Sequence, residues 1–285
     1  MGRIDLRGRA ICISGASSGI GRATAVACAR AGMDVCMMAR REDRLREVVE
    51  EIERGGGRAV AAAGDVTSVD DCQRAVGRTV EAFGGIYAVY ANAGYGIEEW
   101  SHTTSDGQLR AIFETNFFGT LNMVRAAQGR MLDVGRGHVL ICSSSIGKVA
   151  IPYCGAYCAT KAAQWMMGRA MMLELRGRGI HCSTVHPVGT RTEFFETAKW
   201  KSRGDGNSLD DHAPRWMMQR PETVARATVR CLRRPRSEVW PSWAVLVRLG
   251  IAGATAFPGM VDVALGRMVA REEARERRAA AERRG

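Results

Sequence analysis

Two side chains in this 285-residue chain could do chemistry together. Tyr157 and Lys161 stand four residues apart, a spacing that puts both on one face of a helix. A phenol titrates near ~10 and is a poor base at neutral pH. A neighbouring ammonium favours the phenolate and brings that value down. A tyrosine so placed could give a proton to a carbonyl oxygen or take one from an alcohol. Just upstream run Ser143, Ser144 and Ser145, and a hydroxyl from that run could hydrogen-bond the same oxygen.

A second group lies near the start of the chain, where Ser14-Gly15-Ala16-Ser17-Ser18-Gly19-Ile20-Gly21 follows an apolar run and opens a helical pattern. Glycines suit a backbone that must approach a pyrophosphate, and a helix N-terminus offers free N–H groups and a positive dipole. The stretch Gly15, Ser17, Ser18, Gly19, Ile20 and Gly21 is therefore the candidate dinucleotide turn. The next apolar run ends in Met38-Ala39-Arg40-Arg41. An acid there would bind a ribose 2′-OH and select NAD(H). Arg40 stands there instead and can pair with a 2′-phosphate, which favours NADP(H) as cofactor with NAD(H) as the second possibility.

These residues need a scaffold, and the alternation of short apolar runs with helical patterns supplies one. Strands are expected at Ala10–Ser14, Met33–Ala39, Arg58–Ala63, Ile86–Ala91, His138–Ser143 and Ile180–His186. Helices are expected at Ile20–Ala31, Glu42–Arg54, Val69–Phe83, Asp106–Met131 and Tyr153–Arg176. Largely unalternated apolar strands joined by helices imply a parallel sheet covered on both faces. The expected fold class is α/β: one Rossmann-like domain over residues 1–240, doubly wound, with about seven strands. It includes a substrate loop near 190–215, and a helical extension with a charged tail follows over 241–285. Asp65 and Val66 after the third strand, and Asn92, Ala93 and Gly94 after the fourth, fall at the carboxyl edge where such sheets bind ligands. Pro221–Arg233 reads as a helix with Pro at its start, and Glu238–Trp240 as a short last strand.

Composition narrows the function classes. The 41 basic and 30 acidic residues leave a net charge of +11. Lysine occurs only at Lys148, Lys161, Lys199 and Lys201, so the excess is arginine, and no nucleic-acid motif accompanies it. No nucleic-acid partner is expected. The nine cysteines form no CxxC pair and no metal set. Cys12, Cys36 and Cys142 read as small buried hydrophobes in a reducing, cytoplasmic setting. No metal is expected. The N-terminus lacks an apolar signal region. The apolar stretch Trp240–Val269 is broken by Arg248, Pro258 and Asp262 and reads as too short to span a bilayer. It reads as a packing or oligomer surface, with peripheral membrane contact as the alternative.

The set Gly15-xxx-Gly19-Ile20-Gly21, Asn92-Ala93-Gly94, Asn116, Ser144 and Tyr157-xxx-Lys161 resembles the short-chain dehydrogenase/reductases, over about Leu6 to Thr192. The resemblance implies a nicotinamide-dependent enzyme that interconverts a carbonyl and an alcohol, with Asn116, Ser144, Tyr157 and Lys161 as catalytic residues. It selects Ser144 from the serine run, because the family's serine stands thirteen residues before the tyrosine. It assigns Lys161 to the nicotinamide ribose and Asn116 to a water chain reaching that lysine. It adds Pro187, Thr190 and Thr192 to the cofactor contacts, with Val188 departing from the family's usual glycine and Ser14 from its commoner threonine. It also implies a homodimer or homotetramer. Tyr95, Trp100, Ile146, Tyr153, Phe194, Phe195 and Trp200 are the pocket candidates and suit an apolar substrate. Two alternatives stand beside this reading: a catalytically idle NADP-sensing protein of the same fold, and a lipid-modifying reductase at a membrane surface.

Overall fold

The apolar runs become strands because both of their faces are covered. In the computed structural model, which describes residues 2–191, 218–241, 244–259, 261–263, 265–267, 269–270 and 274, strand β1 (Ala10–Ser14) is buried along its whole length. Ile11 and Ile13 face one core and Cys12 the other. The first core is shared with helices α1 (Gly19–Arg30) and α2 (Glu42–Arg54). The second is shared with α3 (Val69–Phe83) and α5 (Gly119–Val134). All nine cysteines are free and buried, which agrees with the reading of Cys12, Cys36 and Cys142 as small hydrophobes.

The sheet has seven parallel strands in the order β3-β2-β1-β4-β5-β6-β7. The remaining strands are β2 (Asp34–Ala39), β3 (Arg58–Ala63), β4 (Ala88–Ala91), β5 (Gly137–Cys142), β6 (Ile180–Val185) and β7 (Glu238–Val239). The winding reverses between β1 and β4, so a crevice opens outside their carboxyl ends. The long helix α6 (Gly155–Leu175) follows β5, α7 (Pro221–Arg233) packs on α1, and α8 (Ala244–Ala256) follows β7.

One expected helix is not continuous. Asp106–Met131 divides into α4 (Asp106–Phe113), a π turn over Glu114–Phe118, and α5. The π turn inserts one residue per turn relative to the α-helix and contains Asn116, which is fully buried. Three- to four-residue periodicity cannot register such an insertion, since the apolar pattern resumes beyond it. At the start of α4, Ser105 and Gln108 form a capping box.

After β6, Thr190 pairs with Gln219 in an isolated parallel bridge. Most of the expected substrate loop, with Thr192, Phe194, Phe195 and Trp200, lies outside the described residues. No single helix among those described is long and apolar enough to cross a membrane. Leu246–Ala256 and Val261–Arg267 are bent by 100° relative to each other.

Candidate active site

The glycine-rich turn after β1 is fastened from behind. The Ser14 hydroxyl accepts hydrogen bonds from the backbone N–H groups of Asn92 (3.0 Å) and Ala93 (3.2 Å). Asn92 Nδ2 donates back to the carbonyls of Ser14 (3.1 Å) and Gly15 (3.4 Å). Asn92 and Ala93 therefore hold the first strand end to the fourth. Gly21 sits so close beneath the turn that a Cβ there would lie 2.2 Å from the Gly15 oxygen. Ser18 occupies the N-cap of α1, but its side chain caps nothing. The first-turn N–H groups of Gly19, Ile20 and Gly21 thus have no side-chain acceptor among the described residues, the donor arrangement a pyrophosphate fits.

Arg41, which the sequence reading passed over in favour of Arg40, reaches this turn. Its Nη2 donates to the hydroxyls of Ser17 (3.1 Å) and Ser18 (3.0 Å). Arg40 is exposed, and its Nη1 lies 3.7 Å from Asp65 Oδ2. Asp65 also accepts from the backbone N–H and the hydroxyl of Thr67, both at 3.0 Å. Val66 is buried against Gly119, and its carbonyl accepts from Asn122 (3.0 Å). The signal for Arg41 was its place beside Arg40, and only the turn of the chain after β2 distinguishes the two.

At the other end of the crevice, Ser144 leads into a short 3₁₀ turn, Ser145–Lys148, and its hydroxyl accepts from the N–H of Ile146 (3.4 Å). Tyr157 lies in the first turn of α6. Burial pushes its phenol well up from the ordinary value, and a hydrogen bond with the Ser144 hydroxyl pulls it part of the way back. Lys161 is 3% exposed, with its Nζ 5.5 Å from the centre of the Tyr157 ring. Burial brings its pKa down to about 8, so the ammonium persists at neutral pH. It donates to the Cys142 carbonyl and to Gln164 Oε1, each at 2.8 Å.

Asn116 does not turn back on its own helix. Its Nδ2 donates to the Tyr95 carbonyl (2.9 Å) and the Thr160 hydroxyl (3.1 Å), and its Oδ1 accepts from the Tyr95 N–H (2.9 Å). The Gly94 backbone passes directly over this pair of residues. A Cβ there would lie 2.9 Å from Asn116 Oδ1 and 3.6 Å from Lys161 Nζ. A ligand at this point meets bare main chain, with the lysine beneath it.

Ser143 and Ser145 do scaffold work. Ser143 donates to the Lys161 carbonyl (2.8 Å), and the Ser145 N–H donates to the Pro187 carbonyl (2.9 Å). Pro187 thus holds the Ser144 turn from the β6 side. Thr190 donates to the Val188 carbonyl (2.7 Å) and accepts from Gln219 (3.3 Å). The Ser144 turn is fastened further by residues that the sequence did not single out. Lys148 Nζ reaches both oxygens of Glu238 at 2.9 Å, and Trp165 and Trp240 donate to the same carboxylate. Burial pushes the Glu238 carboxyl up, but these donors outweigh it and hold it down at about 2. His186, stacked on Trp240 with centroids 4.8 Å apart, is kept neutral by burial, its pKa lowered to about 4. Its partners assign the tautomer: Nδ1–H donates to the Ser144 carbonyl (3.2 Å) and Nε2 accepts from Thr184 (3.0 Å).

Of the pocket candidates, Trp100 and Tyr153 meet edge to face at 4.7 Å. Tyr153 is the one described non-glycine residue with positive φ, at 65°, a strained conformation held by its surroundings. Its carbonyl accepts from the Glu99 N–H (2.8 Å), which ties the loop after β4 to the start of α6.

Similarity to known proteins shows the family. The short chain dehydrogenase family profile matches residues 9–202. An A-factor type gamma-butyrolactone 1′-reductase (1S-forming) of Streptomyces virginiae is 34% identical over 226 residues, covering 78% of this chain and 87% of the relative. Among solved structures, a short-chain type dehydrogenase/reductase from Mycobacterium marinum superposes with a TM-score of 0.75 at 29% identity, over 84% of this chain and 96% of that one. An alcohol dehydrogenase from the archaeon Thermococcus sibiricus, complexed with 5-hydroxy-NADP, gives 0.70 at 27% identity over 81% and 95%.

Proposed function

Given that the chain belongs to the short chain dehydrogenase family, a family of oxidoreductases with nicotinamide cofactors, we propose that it interconverts a ketone or aldehyde and an alcohol with NADP(H), using Tyr157 as the acid–base group. The observation that carries this reading is the buried Lys161 ammonium 5.5 Å from the centre of the Tyr157 ring, on a helix packed against the turn that Ser144 opens. The bound nicotinamide supplies or accepts the hydride. In the reducing direction the Tyr157 O–H gives its proton to the carbonyl oxygen as negative charge builds there, and Ser144 donates a hydrogen bond to the same oxygen. Lys161 favours the phenolate that is left. Oxidation of the alcohol runs through the same atoms in reverse. Asn116 holds the Tyr95 backbone beside the site, and the turn from Gly15 to Gly21 with Pro187, Thr190 and Thr192 would hold the cofactor.

The preference for NADP(H) rests on Arg40 and Arg41 at the end of β2, where no carboxylate stands to take a ribose 2′-OH. An apolar substrate is supported by Tyr95, Trp100, Ile146 and Tyr153 around the crevice, and by the Streptomyces relative, named as reductase of a gamma-butyrolactone. The test is a panel of carbonyls and alcohols followed by NADPH absorbance. Tyr157→Phe should lower turnover on any substrate found by about a thousandfold while leaving NADPH binding within about twofold. Wild-type turnover in that variant would remove Tyr157 from the chemistry, and retained NADPH binding by an inactive wild type would favour the cofactor-sensing reading.

One observation favours a second reading, an enzyme that meets its substrate at a membrane surface. Helix α8 packs beside the Ser145–Lys148 turn, yet Leu246 is 76% and Leu249 65% exposed, with Phe257 beyond the helix at 68%. Replacing Leu246 and Leu249 by Glu should abolish sedimentation with anionic vesicles; absence of wild-type sedimentation at low salt ends this reading and leaves α8 to self-association. A homodimer or homotetramer is the assembly proposed, measurable by sedimentation velocity.

A further inference from the structure

Gln164 stands three residues beyond Lys161 on α6. It is 1% exposed, and its carboxamide is engaged at both ends. Nε2 donates to the Asn116 carbonyl and to the Thr120 hydroxyl, both at 2.7 Å. Oε1 accepts from Lys161 Nζ at 2.8 Å. Hydrogen-bond accounting fixes this orientation. The Asn116 carbonyl can only accept, and Thr120 spends its own proton on that carbonyl at 2.7 Å. Both partners therefore need N–H groups, which only Nε2 possesses, and Oε1 must face the lysine.

We propose that Gln164 is a positioning residue whose carboxamide holds the Lys161 ammonium in place and ties it to Asn116, filling with a fixed side chain the place that the family resemblance assigns to water. This rests on the Tyr157–Lys161 reading only for its catalytic meaning. The hydrogen bonds stand without it.

The surroundings make the carboxamide consequential. Among the described residues, the titratable groups facing Lys161 are Cys142 from β5 and Tyr157 from α6 itself, both neutral at ordinary pH because burial raises them. The π turn contributes Asn116, α5 contributes Thr120, and the loop after β4 contributes Gly94, none of them charged. The ammonium is therefore held by two dipoles, the Cys142 carbonyl and Gln164 Oε1. These occupy two of its three N–H groups and leave one for a ligand. Loss of one of two acceptors around a buried charge is costly.

The test reads Lys161 directly and needs no substrate. With only four lysines in the chain, carbon-13 labelling at lysine Cε gives four NMR signals, and Lys161→Met identifies the relevant one. Gln164→Met should lower the Lys161 titration midpoint by about one unit or more, and Gln164→Glu should raise it by a similar amount. Thr120→Val, which loosens the far end of the carboxamide, should move it in the same direction as Gln164→Met but less. Midpoints within about 0.3 unit of wild type in the glutamine variants would overturn the proposal. If Gln164→Met does not fold, Gln164→Glu decides alone: a rise supports the proposal and no rise overturns it. A Tyr157→Phe variant that keeps its turnover would overturn the catalytic reading yet leave this titration standing. An unmoved titration beside an inactive Tyr157→Phe would overturn the role of Gln164 alone.

Discussion

The turn after β1 and the residues after β5 face the same crevice, yet they are made of different material. At the proposed phosphate end the surface toward the crevice is largely main chain. The side chains of Ser14 and Asn92 are turned inward to hold backbone to backbone, and Gly21 leaves no room for a methyl group. At the proposed catalytic end the surface is side chains: Ser144 before the 3₁₀ turn, Asn116 from the π turn, and Tyr157 and Lys161 from α6. Main chain cannot be retuned by substitution, only broken. Side chains can be exchanged one at a time, with graded results.

The largest effect should come from breaking the main-chain end. Gly21→Ala would place a Cβ 2.2 Å from one carbonyl oxygen and 2.7 Å from Asn92 Nδ2. Neither end of the first contact is a flexible side chain. Overpacking of this kind costs about 3 kcal/mol or more, and both thermal stability and NADPH binding should fall together. A Gly21→Ala protein with wild-type melting would dissolve the contrast.

At the side-chain end the charge is the handle. Burial depresses Lys161 to about 8 from the ordinary 10.5. The folded chain therefore bears the full cost of this buried ammonium below pH 8, and sheds it as pH rises from 8 to 10.5. Replacing the lysine by methionine removes that cost at every pH. The stability of Lys161→Met relative to wild type should thus be more favourable at pH 7 than near pH 10.5, by about 3 kcal/mol. Urea unfolding of both proteins across that range checks the sign.

A smaller effect lies where the two materials meet. Arg41→Ala should weaken NADPH binding about tenfold and NADH binding little. Arg40→Ala should do less, because that guanidinium leans toward Asp65. The reverse order would return the 2′-phosphate to Arg40. Smallest of all is Glu238→Gln, at a distance from the crevice. The lowered pKa of Glu238 means that its contribution is whole above its ordinary value of 4.5 and fades as pH falls toward about 2. The wild-type advantage in melting temperature, a few degrees at neutral pH, should narrow through that window.

This difference in material also explains what could be read from the sequence. The sheet, its winding and the tight glycine turn after β1 were legible because backbone structures announce themselves through glycine and through runs of apolar residues. The shared helix face of Tyr157 and Lys161 was legible from a spacing, while the choice of Ser144 among three serines came from a family pattern alone. Arg41 was obscured by its neighbour Arg40, since linear order does not show which side chain returns over the turn. Gln164 was the harder case. A glutamine on a helix that also carries Thr160, Lys161, Arg169 and Glu174 does not announce itself, and only the fold brings Asn116 and Thr120 across to it. Lys148, Trp165, His186 and Glu238 likewise meet only because β7 joins the sheet beside β6.

The π turn at Glu114–Phe118 has a consequence for how such genes can change. Deleting one codon there would let α4 run into α5 as a regular helix with the same residues facing the core, because the wide turn already absorbs the extra residue. Met123, Val124 and Met131 would keep their places, while Asn116 would lose the wide turn that sets it against Thr160 and Tyr95. A codon lost within α5 has no such turn to absorb it and would rotate the rest of that helix by about 100°, exchanging core residues for neighbours such as the exposed Arg125 and Arg130. Single-codon deletions at Glu114–Phe118 should therefore still give folded protein, and those inside Gly119–Val134 should not.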